Sequence, residues 1–263
     1  MDGLSALGFN ERYGRVVLAS LVDPGEPLTG WVVSQVGAAE AVRALTGDGP
    51  APALNRVEAD LWRAKRNPNV DARTVQATMV AAERHGYTTL IPGDPNYPTS
   101  LEDLGERAPL VLWAKGAESL LGTHVGERAT ITGARASTAY GEQVASEVAA
   151  ELARNEMVVV SGGAYGIDAA AHRAALAEGG HTIAVMAGGA DRLYPRGNAD
   201  MLDRIAEGQA VEGMEALTPV LVDGLELLVE VMPADAMVLV SDPELVRSRA
   251  TDLVRTSHEF LQA

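Results

Sequence analysis

Three successive segments of the chain share one pattern, in which an apolar run ends in glycine and a helical stretch follows. The central segment, residues 157–172, is MVVVSGGAYGIDAAAH, and its three consecutive valines are typical of a strand covered on both faces of a parallel sheet. The same order occurs before it, at residues 129–154, and after it, from residue 181. Because parallel neighbours need helical crossovers, these units predict a doubly wound, mostly parallel α/β sheet with its glycine loops at the carboxyl edge.

The region before these units has the apolar spacing of helices. Between residues 4 and 86, turns that contain proline, glycine or asparagine separate four segments with that spacing: Tyr13–Leu21, Gly37–Leu45, Leu54–Ala64 and Thr74–His85. We therefore expect a small helical domain over residues 1–86. Two interpretations stay open for it: a bundle that serves stability and partner contacts, or half of a helix-hairpin-helix motif entered at Gln35-Val36-Gly37.

Two short apolar runs link the helical region to the glycine loops. Residues 87–91 and 109–116 are predicted as short strands on either side of a proline-rich turn. Trp113, in the second run, could stack a nucleobase. Tryptophan in an apolar strand more commonly packs in the core, which is the interpretation we favour.

The glycine loops have the composition of an anion-binding site. Glycine lets backbone N–H groups approach a ligand closely, and the following helix directs its free N–H groups and positive dipole end to the same place. Phosphate is the obvious ligand. Ser161 occupies the first glycine position of the dinucleotide fingerprint, no acidic residue closes the next strand, and there is no P-loop lysine. The sequence therefore favours neither NAD binding nor ATP hydrolysis, and we expect no cofactor.

We expect the following residues to bind phosphate or nucleic acid: Gly133, Arg135, Ser161, Gly162, Gly163, Gly166, Gly188, Gly189, Arg192 and Arg196. Arg135 directly follows the Gly-Ala pair at a strand end, where its guanidinium can meet a phosphate through two hydrogen bonds. Ser161 and the glycines after it are expected to form the anion cradle.

Four further residues are expected to have structural roles at the site: Tyr140, Asp168, His172 and Asn198. Asp168 complements the helix dipole and anchors the glycine loop, and Asn198 caps the helix that begins at Ala199. Because Asp168 and His172 lie four residues apart on one helical face, an acid–base pair is the alternative. With no nucleophile nearby we expect no catalytic residue.

The charge of the chain restricts any contact with nucleic acid to a local surface. The 263 residues include 21 Lys+Arg and 36 Asp+Glu, for a net charge of −15, whereas phosphate contacts usually need a basic face. The negative charge is unevenly distributed, because residues 201–263 carry 12 of the acidic and only 4 of the basic side chains. The basic residues near the loops are Arg135, Arg173, Arg192 and Arg196.

Composition also limits the class of protein. There is no cysteine, so a disulfide framework and a thiolate metal site are excluded, and the five histidines show no paired ligand spacing. No run is long and apolar enough to span a bilayer, and the N-terminus lacks a basic-then-apolar export signal. We expect a cytoplasmic protein with no metal and no membrane contact.

Motifs in all three loops closely resemble the DprA/Smf family of bacterial DNA-processing proteins. They are Thr132-Gly-Ala-Arg135 with Tyr140-Gly141, Ser161-Gly-Gly-Ala-Tyr-Gly-Ile-Asp168 with Ala171-His172, and Gly188-Gly-Ala-Asp191 with Tyr194-Pro195 and Asn198. The resemblance is strong over residues 88–207 and extends to the helical region, where relatives often carry a SAM-like or helix-hairpin-helix domain. It implies a Rossmann-like domain that binds single-stranded DNA, self-associates and hands the strand to the recombinase RecA in natural transformation. It implies no reaction.

The resemblance ends near Gly208, and residues 202–263 instead resemble a segment of the transcription-repair coupling factor Mfd. The junction lies within a predicted helix, as in a crossover of two genes or a deliberate chimera. We thus expect three parts: residues 1–86, a first Rossmann-like half over 87–208, and a substituted α/β segment over 209–263. The apolar run Met237–Val240 is expected to join the sheet as a parallel strand. Because the family's later half is missing, homodimerisation is doubtful and DNA binding is expected to be impaired.

Three function classes follow from these observations. The first is DprA-like single-stranded DNA binding with recombinase loading. The second is a recombinant or engineered chimera with the fold and no physiological activity. The third is a nucleotide-binding enzyme of the phosphoribohydrolase type, which needs a Pro-Gly-Gly-x-Gly-Thr loop and a catalytic glutamate that the sequence does not show.

Overall fold

The computed structural model describes residues 3–187 and 193–212. Several predictions lie outside the described residues: those for Gly188, Gly189, Arg192 and the strand Met237–Val240. Within the described ranges, none of the helices has the length and apolar character needed to cross a membrane.

Six helices form the N-terminal region, in agreement with the helical spacing. They are α1 Gly3–Leu7, α2 Glu11–Leu21, α3 Pro27–Val36, α4 Ala38–Thr46, α5 Arg56–Ala64 and α6 Ala72–Arg84. The sequence predicted four of them, and α1 and α3 are additional. Residues 24–27, Pro-Gly-Glu-Pro, belong to the turns that were expected to separate helices, but Pro27 is the first residue of α3. The Glu26 side chain accepts a hydrogen bond from the Thr29 N–H at 2.6 Å.

A six-stranded mixed sheet follows, which confirms the predicted α/β class. Its strands are β1 Thr88–Leu90, β2 Leu112–Gly116, β3 Arg128–Thr130, β4 Val158–Ser161, β5 Thr182–Met186 and β6 Gln209–Glu212, in the spatial order β1-β2-β6-β5-β4-β3. Strands β3 to β6 are parallel neighbours, and β2 pairs antiparallel with both β1 and β6. The sequence did not predict β6.

Three helices connect the parallel strands as the crossovers require. They are α7 Ala139–Arg154, α8 Ile167–Ala177 and α9 Ala199–Gly208, with short 3₁₀ turns at Thr99–Arg107, Glu118–Gly122, Val125–Glu127 and Arg196–Asn198. Helix α7 begins after Thr138, whose hydroxyl accepts the Gly141 N–H at 3.1 Å. The contact between α7 and α8 buries alanines, including Ala149 and Ala175, and these small side chains let the two helices lie close together on β4.

The helical region and the sheet share apolar packing. The buried cluster of the helices includes Trp62, whose indole N–H donates to the Thr29 hydroxyl at 2.8 Å, and it continues into Ile91 and Val111 beside the first two strands. Trp113 is partly buried against the same cluster, as the core interpretation predicted. The division at residue 86 therefore remains a prediction, since buried apolar contacts cross it.

Candidate nucleic-acid interface

The loop after β3 packs directly on the loop after β4. Gly166 has a φ of +78°, and a Cβ atom there would lie 2.3 Å from the carbonyl oxygen of Ala134 and 2.7 Å from that of Arg135. The Ile167 N–H, at the start of α8, donates to the same Ala134 carbonyl at 3.3 Å. Only glycine fits both the backbone conformation and this distance, so Gly166 is the point at which the first two loops meet.

The chain before α9 is joined to the β4 loop by a buried side chain. Asn198 is only 1% exposed, and its amide nitrogen donates to the carbonyls of Gly163 and Ala164, both at 3.0 Å. Its side-chain oxygen accepts from Arg173 of α8 at 2.9 Å. We expected Asn198 to cap the helix beginning at Ala199. The contacts correct that role, because the side chain holds the glycine loop in place.

Tyr165 makes a second connection between the same two loops. Its hydroxyl accepts the Gly197 N–H at 3.3 Å, and a Cβ atom at Gly197 would lie 2.8 Å from that oxygen and 3.0 Å from the ring carbon Cε1. The ring therefore lies against the backbone of the Arg196–Asn198 turn. Half of the residue, 48%, stays exposed to solvent.

Asp168 lies in the first turn of α8, and its side chain contacts the loop after β4. The residue is 5% exposed, and its carboxylate accepts the Thr132 hydroxyl at 3.1 Å and the Ala164 N–H at 3.3 Å. A Cβ atom at Gly162 would lie 2.9 Å from the same carboxylate. These contacts support the anchoring role for Asp168. They also use one loop N–H internally, which leaves fewer backbone donors for a ligand.

The side chain of Ser161 is buried at the end of β4. It is 3% exposed, and its hydroxyl donates to the carbonyl of Ile131 at 2.5 Å, across from β4 to the end of β3. The prediction that Ser161 forms part of the anion cradle is corrected for its side chain, because a buried hydroxyl with a protein partner is not available to a ligand. Ser161 instead ties together the two strand ends from which the loops emerge.

His172 is fully buried between α8 and β5. The Thr182 hydroxyl donates to the Val159 carbonyl at 2.7 Å, so its oxygen accepts from the Nδ1–H of His172, also 2.7 Å away. Burial lowers the pKa of His172 to about 4, against opposing effects from the charge of Asp168 and the backbone of Ser161. The imidazole is therefore neutral near pH 7 and has no exposed surface with which to meet a substrate.

The exposed groups at this edge include arginines and tyrosines. Arg135 and Arg196 are exposed, and neither forms a salt bridge within residues 3–187 and 193–212. Tyr140 and Tyr194 are 65% and 71% exposed, and this exposure does not support the structural role expected for Tyr140. Sequence reasoning missed Tyr165 and Tyr194 as exposed groups. The available signal was one tyrosine in each of the three loop motifs.

The glycines that were predicted to bind phosphate differ in their exposure to solvent. Gly133 and Gly162 are exposed, whereas Gly163 is buried with a φ of +70°, beneath Leu202. No group of three His, Asp or Glu side chains with a metal-binding arrangement occurs among the residues that the structure describes. The arrangement is that of a Rossmann-like domain with exposed arginine, tyrosine and glycine residues at the carboxyl edge, where open α/β sheets bind their ligands.

Comparison with known proteins agrees with the resemblance carried by the loop motifs. Residues 88–213 match the model of the family described as DNA recombination-mediator protein A. The match includes β6 and so extends beyond the residue at which we expected the resemblance to end. The putative DNA processing protein DprA of Mycobacterium tuberculosis is 48% identical over 135 residues, covering 47% of this chain and 34% of that protein. The chain thus spans about a third of the length of that curated relative.

Two further similarities concern the fold and the C-terminal segment. The X-ray structure of DprA from Streptococcus pneumoniae has a TM-score of 0.54 at 24% identity, covering 75% of this chain and 65% of that chain, and shows the same fold. The transcription-repair-coupling factor of Mycobacterium bovis is 58% identical over 66 residues, which is 25% of this chain and 5% of that protein. The second similarity agrees with the resemblance of residues 202–263 and with a chimeric origin.

Proposed function

We propose that the chain binds single-stranded DNA at the loops of its carboxyl edge, in the manner of a DNA-processing protein of the DprA type. One observation carries the proposal. Arg135 and Arg196 are both exposed and have no carboxylate partner among the described residues. The carbonyl of Arg135 lies against Gly166, and Arg196 precedes Gly197, whose N–H donates to the Tyr165 hydroxyl. The names of the relatives support DNA as the ligand.

The charges of the described residues favour a short contact over a long basic groove. With a net charge of −15, the protein as a whole repels a polyanion, so affinity must come from local groups. Two unpaired guanidiniums can each bind a phosphate through two hydrogen bonds. Backbone N–H groups at the exposed Gly133 and Gly162 can supply further donors without adding charge.

The proposal extends to partners and organisation, which rest on the family resemblance. RecA is the expected recombinase partner in natural transformation, in the cytoplasm. Homodimerisation and recombinase loading are expected to be weak because residues 209–263 replace the later half of the family's domain. We also propose that the chain is divided into three parts, residues 1–86, 87–208 and 209–263. We propose no catalytic activity for it.

A titration of labelled oligo-dT followed by fluorescence anisotropy at several salt concentrations tests the proposal. Wild-type protein should bind with an affinity that falls as salt rises. Arg135→Ala and Arg196→Ala should each weaken binding and reduce the slope of log K against log salt by about 0.7, the value for one phosphate on a single strand.

Arg84→Ala is the matched control, because Arg84 is an exposed arginine of α6 without a salt bridge in the described chain. It should leave the affinity and the slope unchanged. If wild-type protein shows no salt-dependent affinity for oligo-dT, the proposal is wrong, and a recombinant α/β protein without physiological activity becomes the better description.

A further inference from the structure

The exposed aromatic residues of the described chain are unevenly distributed. Tyr140, Tyr165 and Tyr194 are 65%, 48% and 71% exposed. Tyr140 lies in the first turn of α7, Tyr165 in the loop after β4 and Tyr194 in the segment before α9. The other strongly exposed aromatic residue, Phe9, lies in the helical region and stacks on Tyr13 at a centroid distance of 5.0 Å. The loop tyrosines have no ring partner of that kind among the described residues.

The central ring is positioned by the fold. Tyr165 is hydrogen-bonded to the Gly197 N–H and lies against the backbone of that turn, while its neighbour Gly166 is pressed onto the carbonyls of Ala134 and Arg135. The backbone on both sides of the ring is therefore fixed by other loops. A fixed aromatic ring loses little conformational freedom when a ligand packs on it.

We propose that Tyr165, together with Tyr140 and Tyr194, forms a stacking surface for unpaired nucleobases. The backbone of the same strand would lie on Arg135 and Arg196 at either side. This inference rests on the proposed function and adds to it how bases are bound. The ligand it specifies is a nucleic acid with unstacked bases, since a paired duplex offers no free base face to an external ring.

Stacking and phosphate contacts have different experimental signatures. Loss of an aromatic platform weakens binding by about 5-fold to about 150-fold per base, without changing the number of phosphates neutralised. Loss of an arginine changes the salt slope. An abasic oligonucleotide of equal length separates the two further, because it has the phosphates without the bases.

The experiment compares oligo-dT with the abasic strand by anisotropy. Tyr165→Ala should weaken oligo-dT binding by at least about 5-fold with an unchanged salt slope, and it should bind the abasic strand as wild-type protein does. Tyr165→Phe, which keeps the ring and loses the hydroxyl, should retain most of the affinity. Tyr140→Ala and Tyr194→Ala act at more exposed positions and should each produce a smaller loss on oligo-dT alone. Phe9→Ala is the control and should have no effect.

Three results would overturn the inference. The first is equal binding of oligo-dT and the abasic strand by wild-type protein, which would leave the proposed DNA contact in place and remove base stacking from it. The second is a loss in Tyr165→Ala that is equally large on the abasic strand, or accompanied by a loss in Tyr165→Phe of the same size. The third is binding of neither strand by wild-type protein, which would overturn the proposed function as well.

Discussion

The Nη2 atom of Arg12 donates to both carboxylate oxygens of Asp94, at 2.6 and 2.8 Å. Arg12 is on α2 and Asp94 follows β1, so the pair joins the helical region to the edge of the sheet. Asp94 also accepts the Ile91 N–H at 2.9 Å, which closes the turn after β1. Burial alone would raise the pKa of Asp94, but the hydrogen bonds from Arg12 and Ile91 and the charge of Arg12 hold it below its usual value.

Asp94→Asn should destabilise the protein by about 1 kcal/mol at pH 7, a modest figure because Arg12 is partly exposed and its charge is screened. Because the pKa of Asp94 is lowered by folding, its contribution is present above the usual value of 3.8 and is lost as the pH falls further. Urea unfolding at pH 7 measures the effect. Glu40→Gln, which removes the carboxylate of an exposed pair with Arg43, is the control and should cost less. Equal losses would show that the Arg12 pair has no special role.

Gly166→Ala should disturb the junction of the first two loops. The alanine methyl would lie 2.3 Å from a backbone oxygen, so residues 133–137 must shift, with loss of stability and of oligo-dT affinity. Gly179→Ala is the matched control, since Gly179 has a similar φ of +71° and nothing within 4 Å of the added atom. Both variants carry the strain of a positive φ, about 1 kcal/mol or more, and Gly166→Ala adds the collision and a ψ of −126°, outside the left-handed helical region. Equal unfolding free energies and equal affinities would refute the tight contact.

His172 should make stability depend on pH in the mildly acidic range. Its pKa is about 4 when folded, against an ordinary 6.5, so the unfolded chain binds the proton more readily. The stability that depends on a neutral His172 is fully present above pH 6.5 and is lost as the pH falls toward 4. The total loss in the free energy of unfolding is on the order of 3 kcal/mol. Urea unfolding at several pH values from 7 to 4 should show this loss.

His172→Gln should remove most of that pH dependence, whatever its effect on stability at pH 7. His85→Gln, at an exposed position at the end of α6, should leave the dependence as it is in wild-type protein. A His172→Gln profile parallel to that of wild-type protein between pH 7 and 4 would show that another group titrates.

Asn198→Asp separates the two contacts of that side chain. The aspartate keeps an oxygen for Arg173 and loses the two N–H donors to Gly163 and Ala164, whose carbonyls are left facing a carboxylate. We expect a loss of about 1–3 kcal/mol in the free energy of unfolding. Arg173→Gln, which removes the exposed partner instead, should cost less. A larger loss of stability in Arg173→Gln than in Asn198→Asp would show that Asn198 stabilises the protein mainly through its contact with Arg173.

The prediction that Met237–Val240 joins the sheet can be tested by hydrogen exchange. If that segment belongs to the same cooperative unit, the amides of residues 238–240 should be protected to the same free energy as those of residues 158–160. Protection of 158–160 with rapid exchange at 238–240 would show that the segment does not dock.

The periodic parts of the sequence predicted the fold well, and the exceptions have physical reasons. The valine run and the glycines after it located β4 and the start of α8, because a buried parallel strand and its crossover leave a local pattern. Strand β6 leaves none in Gln209-Ala-Val-Glu212. Its conformation depends on pairing with β5 on one side and β2 on the other, which are distant in sequence.

In the candidate site, too, features with a local sequence pattern could be predicted, and features that depend on contacts between distant residues could not. The exposed position of Arg135 could be predicted, since a residue that follows the Gly-Ala pair at the end of a predicted strand lies in a surface loop. The partner of Ser161 could not, because only the packing of β4 beside β3 decides that its hydroxyl meets Ile131. Asn198 was misassigned for the same reason. Its hydrogen-bond acceptors, Gly163 and Ala164, lie more than 30 residues earlier in the chain.

The position of β6 has a consequence for any shortened form of the protein. The four residues of β6 pair with β2 on one side and with β5 on the other, so they join the two parts of the sheet. They lie near residue 213, at which the match to the DNA recombination-mediator family ends. A chain cut before Gln209 would leave a two-stranded ribbon and a three-stranded sheet, each with an unpaired edge open to aggregation. A cut after Glu212 would keep the sheet continuous. The minimal folding unit therefore includes residues 209–212, which are the first residues of the segment expected to be substituted.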